Sequence, residues 1–317
     1  MNKKLLLLLI AQVLLLLTLQ LTERKSPKDF GKPLLTIADI SEITLTAGKD
    51  KTSTKLVAKD GTWEVAGEIN SPANKSKLDN LLQSLQGIKK GLIVGKTDVA
   101  LKKLKVTETT YEVLATIGNG KDTQTLLLGT SPTFRQVHVR DAKSPEVYVA
   151  NFPATDITTN PYDWIDRSVF ALPKDKLSSV ELGSTKVEVD ATGKLAVPGL
   201  DKPDIAKARE LITAVTTLRY DAPAGKTEVS NLPLVLTITA SYSDSTTASL
   251  RLRGPSKSSD YFVENDAKTF AGLIAKDKAE GLIEFANLAT LKIKSATAEV
   301  AAPVGPDAMS PLQELPE

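Results

Sequence analysis

The sequence predicts an α+β fold, with tandem duplicated units of antiparallel β-sheet each covered by one helix, after an N-terminal transmembrane helix. Three observations lead there. Short runs that alternate apolar and polar residues recur through the body, as half-buried strands do. Two longer segments carry apolar residues at helical spacing instead. The order of these signals is the same in both halves of a 317-residue chain, a length that suits two domains of roughly 150 residues.

The elements follow in chain order. Residues 5–21, from Leu5 to Leu21, read LLLLLIAQVLLLLTLQL without a charge, at the short end for crossing about 30 Å of hydrocarbon. Lys3 and Lys4 supply a basic start, but no Ala-x-Ala follows, so residues 1–21 read as a retained signal anchor in the lipid bilayer rather than a cleaved signal peptide. Lys3, Lys4 and the free amino terminus favour an inside N-terminus, although Arg24, Lys25 and Lys28 dilute that bias. The expected location is the bacterial inner membrane, single pass, with the body on the periplasmic side. Residues 22–35 contain Pro27, Gly31 and Pro33 and read as a stalk.

The first unit is expected over residues 36–160. Ile40-Ser41-Glu42-Ile43-Thr44-Leu45 opens it, and Lys55–Val65 is a hairpin around Asp60-Gly61, where glycine tolerates the positive φ of the tight turn. Leu78, Leu81, Leu82, Leu85 and Ile88 form one helical stripe; Ser71 before Pro72 is its expected N-cap and Gly91 its end. Tyr111–Ile117, Thr123–Leu128 and Val137–Arg140 read as three returning strands. After a junction at 161–176, the same order recurs over 177–290. Leu177–Leu182, Lys186–Val197, a helix striped by Ala208, Leu211, Ile212, Val215 and Leu218, then three strands ending with Tyr261–Glu264. Asp201 or Lys202 before Pro203 is the weaker helix start. The two helices, read as 72–90 and 203–219, and the glycines Gly129 and Gly254 are expected to correspond. Residues 291–317 are rich in proline and alanine and read as a mostly disordered tail.

Composition excludes several chemistries. The chain has 40 basic and 38 acidic residues, and without Lys3 and Lys4 the remainder is balanced, which argues against nucleic-acid binding. It has no cysteine and one histidine, which removes disulfides, thiolate nucleophiles and Cys-His pairs. No catalytic, cofactor-binding or metal-ligating residue is assigned. His138, in Val-His-Val-Arg, is expected to be an exposed strand residue. Gly118-Asn119-Gly120-Lys121 runs from strand to strand and is a turn, not a phosphate loop. Arg219, Arg251, Arg253 and Lys257 read as a solvated strand face. The candidate binding or junction surface is Tyr162, Asp163, Trp164, Asp166 and Arg167, where aromatic rings sit among carboxylates as in a sugar-stacking surface. The favoured alternative is a turn region, with Asp163 or Asp166 pairing Arg167 and Trp164 buried.

The Asp60-Gly61-Thr62-Trp63 hairpin, the Pro72-Ala73 helix start, the leucine-striped helix, the Leu126–Gly129 strand end and the Asp163–Phe170 junction, in that order, resemble the membrane-anchored domain of unknown function family numbered 4340. The likeness spans roughly residues 36–290. Asn74 stands where an Asp often follows Pro-Ala, and the second half lacks the hairpin Trp. The resemblance implies location and company: such proteins are often encoded beside ABC-type transport systems of the gliding-motility or auxiliary kind. It implies no activity and no cofactor. The expectation is a non-enzymatic accessory or scaffold of a membrane complex, partnered by other membrane or envelope proteins. The rivals are a periplasmic glycan- or solute-binding module and, more distantly, a carboxylate-dependent hydrolase.

Overall fold

A computed structural model describes residues 29–152 and 157–293, together with Gln12. The predicted membrane segment and nearly all of the predicted tail lie outside the described residues. Among those described, no helix is long and apolar enough to cross a membrane.

The first half begins with β1 (Glu42–Ala47), β2 (Ser53–Lys59) and β3 (Thr62–Ala66). The β2–β3 turn carries Asp60 at φ 48° and Gly61 at φ 77°, the pair of positive angles that a two-residue hairpin turn requires. The two-residue strand β4 (Ser71–Pro72) follows, then helices α1 (Lys75–Gln86) and α2 (Asp98–Lys103). Four strands complete it: β5 (Val113–Gly118), β6 (Thr123–Leu128), β7 (Gln136–Asp141) and β8 (Val147–Asn151). They form one eight-stranded antiparallel sheet in the order β4-β3-β2-β1-β5-β6-β7-β8.

The second half contains β9 (Leu177–Leu182), β10 (Thr185–Val189), β11 (Leu195–Ala196), α3 (Ile205–Thr216), β12 (Ala222–Gly225) and α4 (Lys226–Ser230). It continues with β13 (Leu234–Tyr242), β14 (Thr247–Arg253), β15 (Tyr261–Glu264), β16 (Phe270–Ile274) and α5 (Lys276–Phe285). Its eight strands are ordered β11-β10-β9-β13-β14-β15-β16-β12. The fold is thus α+β with a duplicated antiparallel sheet, as the repeated pattern predicts.

Strand registers make the correspondence residue by residue. Ile43 faces Ile117 as Val180 faces Ala240, and Leu128 faces Val139 as Leu252 faces Val263. Register therefore matches Leu128 to Leu252, so Gly129 corresponds to Arg253 and Gly254 falls one residue later. Alternation decides this: a slip by one would turn Arg253 into the core and Leu252 out of it. The chain between the helices also corresponds, because Gly95 bridges Val147 of β8 where β12 pairs β16.

Several local expectations are corrected. Each half returns four strands after its helices, not three. Phe270–Ile274 is buried at nearly every position, so the period-two signal that marks a half-buried strand is missing. Helices α2 and α4 are too short for a periodicity window. Helix α1 starts after Asn74, whose side chain accepts from the Lys77 N–H, and α3 after Asp204, which accepts from Ala206 and Lys207. Ser71 and Pro72 are strand instead, because a residue before proline avoids the α region. Gly87, not Gly91, caps α1. The end of the expected stalk is packed: Leu34 and Leu35 are buried, Leu34 N–H donates to the Ile88 carbonyl, and Pro33 bridges Lys89. Beyond the expected boundary at 290, Leu291 is fully buried and Lys292 bridges Pro203.

One continuous apolar core runs through both halves, with Leu78, Leu81 and Leu85 of α1 and Ala208, Leu211 and Val215 of α3 facing their sheets. A smaller cluster, Leu101, Val106, Leu127 and Val147, lies under α2.

Candidate functional site

The junction is where the two halves are sewn together. On one side, Asn74 N–H donates to the Trp164 carbonyl at 2.6 Å, Asp166 N–H donates to the Pro72 carbonyl at 2.7 Å, and Ala73 bridges Ile165. On the other, Tyr220 N–H donates to the Arg167 carbonyl and Leu172 N–H to the Val215 carbonyl. The chain changes allegiance between Asp166 and Arg167. Its two large apolar residues divide likewise. Trp164 is fully buried beside α1, with its indole N–H donating to the Thr158 carbonyl at 2.8 Å and Lys77 Nζ 4.7 Å above its ring. Phe170 packs edge-on against Tyr220 and Phe270 of the second half, both ring centroids 5.5 Å away. Gly272 makes the room: a Cβ there would stand 2.6 Å from Tyr220 Cβ and 2.8 Å from a Phe170 ring carbon.

The sequence-nominated surface therefore splits by role. Trp164 is structural and presents no face to a ligand. Tyr162 is 47% exposed on a 3-10 turn (Pro161–Asp163), held by Asn160, whose side chain accepts from the Tyr162 N–H. Asp163 accepts from the Thr158 hydroxyl at 2.7 Å, and Asp166 accepts from Ser168 N–H and hydroxyl, so both close local turns. Arg167 does not pair with either, contrary to expectation. Its guanidinium reaches Asp221 at 3.2 Å and also donates to the Tyr162 carbonyl at 3.3 Å. Sequence proximity misleads here, because both aspartates are already engaged in turns while Asp221 follows Tyr220 onto the junction.

Beside Tyr162 is a cleft of about 330 Å³, walled by Tyr162 and Ile165 of the junction, Val65 and Ser71 of the first half, and Pro223 of the second. Among the described residues, Glu68 is the only charged one lining it. Behind Ser71 stands Tyr220, fully buried, its hydroxyl next to Ser71 yet without a hydrogen bond of good geometry. Burial pushes this phenol up to about 12, so it is a neutral O–H at any physiological pH. Ser71, Tyr220 and Pro223 carry no local signal of a site in the sequence; only the assembled junction brings them together. A larger concavity of about 500 Å³ lies on the second sheet, but Lys186 there pairs with Glu188 at 2.9 Å and Asp190 accepts from Thr192 and Lys194 of its own turn. Lys186, Glu188 and Asp190 are thus engaged locally, and the junction cleft, lined by both halves, is the better candidate.

Other nominated residues also find their places. His138 is half-buried rather than exposed, its Nδ1 2.7 Å from the Thr130 carbonyl. The loop before β7 folds back over it, which strand alternation does not report. Arg251 and Arg253 are not a solvated face. Both guanidiniums grip Glu264, at 3.2 and 2.6 Å, and Glu264 is 1% exposed. Arg251 also pairs with Asp266. Trp63 is half-buried against the main core. Among the described residues, no group of three or more histidine and carboxylate side chains is placed to hold a metal ion.

The family model described as Domain of unknown function (DUF4340) matches residues 63–235, and the chain belongs to that family. No curated protein and no solved structure matches it.

Proposed function

We propose that this DUF4340 member is a non-enzymatic accessory or scaffold of a membrane complex, of the ABC-type transport kind. It is held at the inner membrane by residues 5–21, with its body on the periplasmic side. The observation that carries the reading is an open, apolar sheet edge. Among the described residues, β8 is bridged on its outer side only at Val147, by Gly95, whereas the corresponding β16 is covered along four residues by β12. Beside that edge Leu92 is 58%, Val94 46% and Val99 78% exposed. An unpaired strand edge flanked by apolar side chains is a ready attachment surface for another chain.

Among the described residues, each carboxylate that departs from its ordinary range is lowered, by hydrogen bonds or basic neighbours, as at Asp50, Asp190 and Asp244. The test is affinity purification from detergent-solubilised membranes, with wild type and a Val94→Asp/Val99→Asp variant compared. Membrane proteins should accompany the wild type and be lost from the variant. A wild-type chain that purifies alone, or a variant that keeps every partner, overturns the reading.

A further inference from the structure

We propose that the cleft between the halves binds a short neutral saccharide, with Tyr162 as stacking surface and Ser71, backed by Tyr220, as polar contact. This site is separate from the open β8 edge and does not depend on the scaffold reading.

Tyr162 offers the first requirement. Its ring is half-exposed on a turn whose backbone is pinned by Asn160, with Pro161 and Pro223 as flat apolar neighbours. The C–H faces of a sugar ring pack on such a rigid aromatic platform, and little side-chain freedom is lost in doing so. At about 330 Å³ the cleft stands at the small end of ligand sites, which suits a short saccharide.

The second requirement is hydrogen bonding. Tyr220 is fully buried with an unpartnered hydroxyl that faces Ser71, and Ser71 donates no hydrogen bond among the described residues. A buried O–H without an acceptor is unfavourable. When a ligand oxygen enters, the Ser71 hydroxyl can donate to it while accepting from Tyr220. Ser71 thereby links the buried phenol to the ligand in a relay, Tyr220 to Ser71 to ligand.

Charge narrows the class. Among the described residues no Lys or Arg lines the cleft, so a phosphorylated or carboxylated sugar finds no counter-ion there, and the Glu68 carboxylate repels it. The same carboxylate accepts from sugar hydroxyls.

The test is isothermal calorimetry on the full chain in a polyoxyethylene detergent, which carries no sugar headgroup. The probes are maltose, cellobiose and the β-1,4 dimer of N-acetylglucosamine, beside glucose 6-phosphate and ethanolamine. Saturable binding of at least one neutral disaccharide is expected. Tyr162→Ala should weaken it about tenfold and Ser71→Ala about fivefold, whereas the exposed aromatic Phe134, substituted by alanine, should leave it unchanged. Tyr220→Phe should keep the melting temperature and still weaken binding, which separates the relay from packing. No saturable binding of any neutral probe overturns the proposal. So does binding that survives Tyr162→Ala, or tighter binding of glucose 6-phosphate or ethanolamine.

Discussion

The two halves share a backbone frame and differ in what they bury on its outer face. Register places Leu127 beside Arg140 in the first half and Arg251 beside Glu264 in the second. Arg140 is 7% exposed and donates to three backbone carbonyls, those of Val106, Ala142 and Ser144. Glu264 is held by two guanidiniums and by the Ser230 hydroxyl. Corresponding positions thus bury charges of opposite sign under corresponding short helices, since Val106 follows α2 and Ser230 ends α4. The frame does not select a sign. It demands that a buried charge be fully hydrogen-bonded, and each half meets the demand with different groups. The second comparison runs the other way. Trp164 and Leu291 are unlike residues in like places: each lies four residues after an asparagine that caps a 3-10 turn, Asn160 or Asn287, and each carbonyl accepts the N–H of its helix N-cap, Asn74 or Asp204. The predicted junction therefore begins as the last piece of the first unit.

The largest effect should come from breaking that second likeness. Trp164→Ala opens a cavity at a fully buried site and should cost about 3–5 kcal/mol, with Leu291→Ala costing about 2–5 kcal/mol. Both are read by urea unfolding of the full chain. If Trp164→Ala left stability unchanged, the tryptophan would not be the plug that the correspondence makes it.

Glu264→Gln sharpens the first comparison and should cost about 3 kcal/mol, because two guanidiniums lose the carboxylate between them. It also has a pH signature. Burial pushes the Glu264 carboxyl up, but Arg253 and Arg251 outweigh it and hold it below the usual glutamate range. The unfolded carboxyl, at about 4.3, then takes up its proton first. Stability from this group is fully present above about pH 5 and is lost as pH falls through the folded value. Acid melts of wild type should show that loss, and Glu264→Gln should flatten it. Arg140→Leu offers no such dependence, since its partners are carbonyls that do not titrate.

The smallest effect belongs to Arg167. Its pair with Asp221 is partly exposed on both sides, so Arg167→Ala should cost about 0–1 kcal/mol in the same urea titration. A loss comparable to that of Trp164→Ala would mean that the ion pair, not the buried rings, joins the halves.

The sequence by itself determined the elements whose physics is local. Asp60-Gly61 needs positive φ, and the leucine stripe of α1 and the mixed apolar stripe of α3 need a sheet to cover, so the repeated order of strands and helices is readable without contacts. Strands such as β16 were hidden because burial on both faces erases alternation, and short helices because they have no period to count. The neighbours Tyr162 and Trp164 show the limit most sharply. Both are aromatic and both sit on one turn, yet one lines a cleft and the other is sealed under α1. Only tertiary structure decided this, because exposure depends on which surface the other elements bring to each side chain. The same holds for Arg167, whose partner Asp221 is distant in sequence, and for Ser71 and Tyr220, which meet only after both sheets have formed.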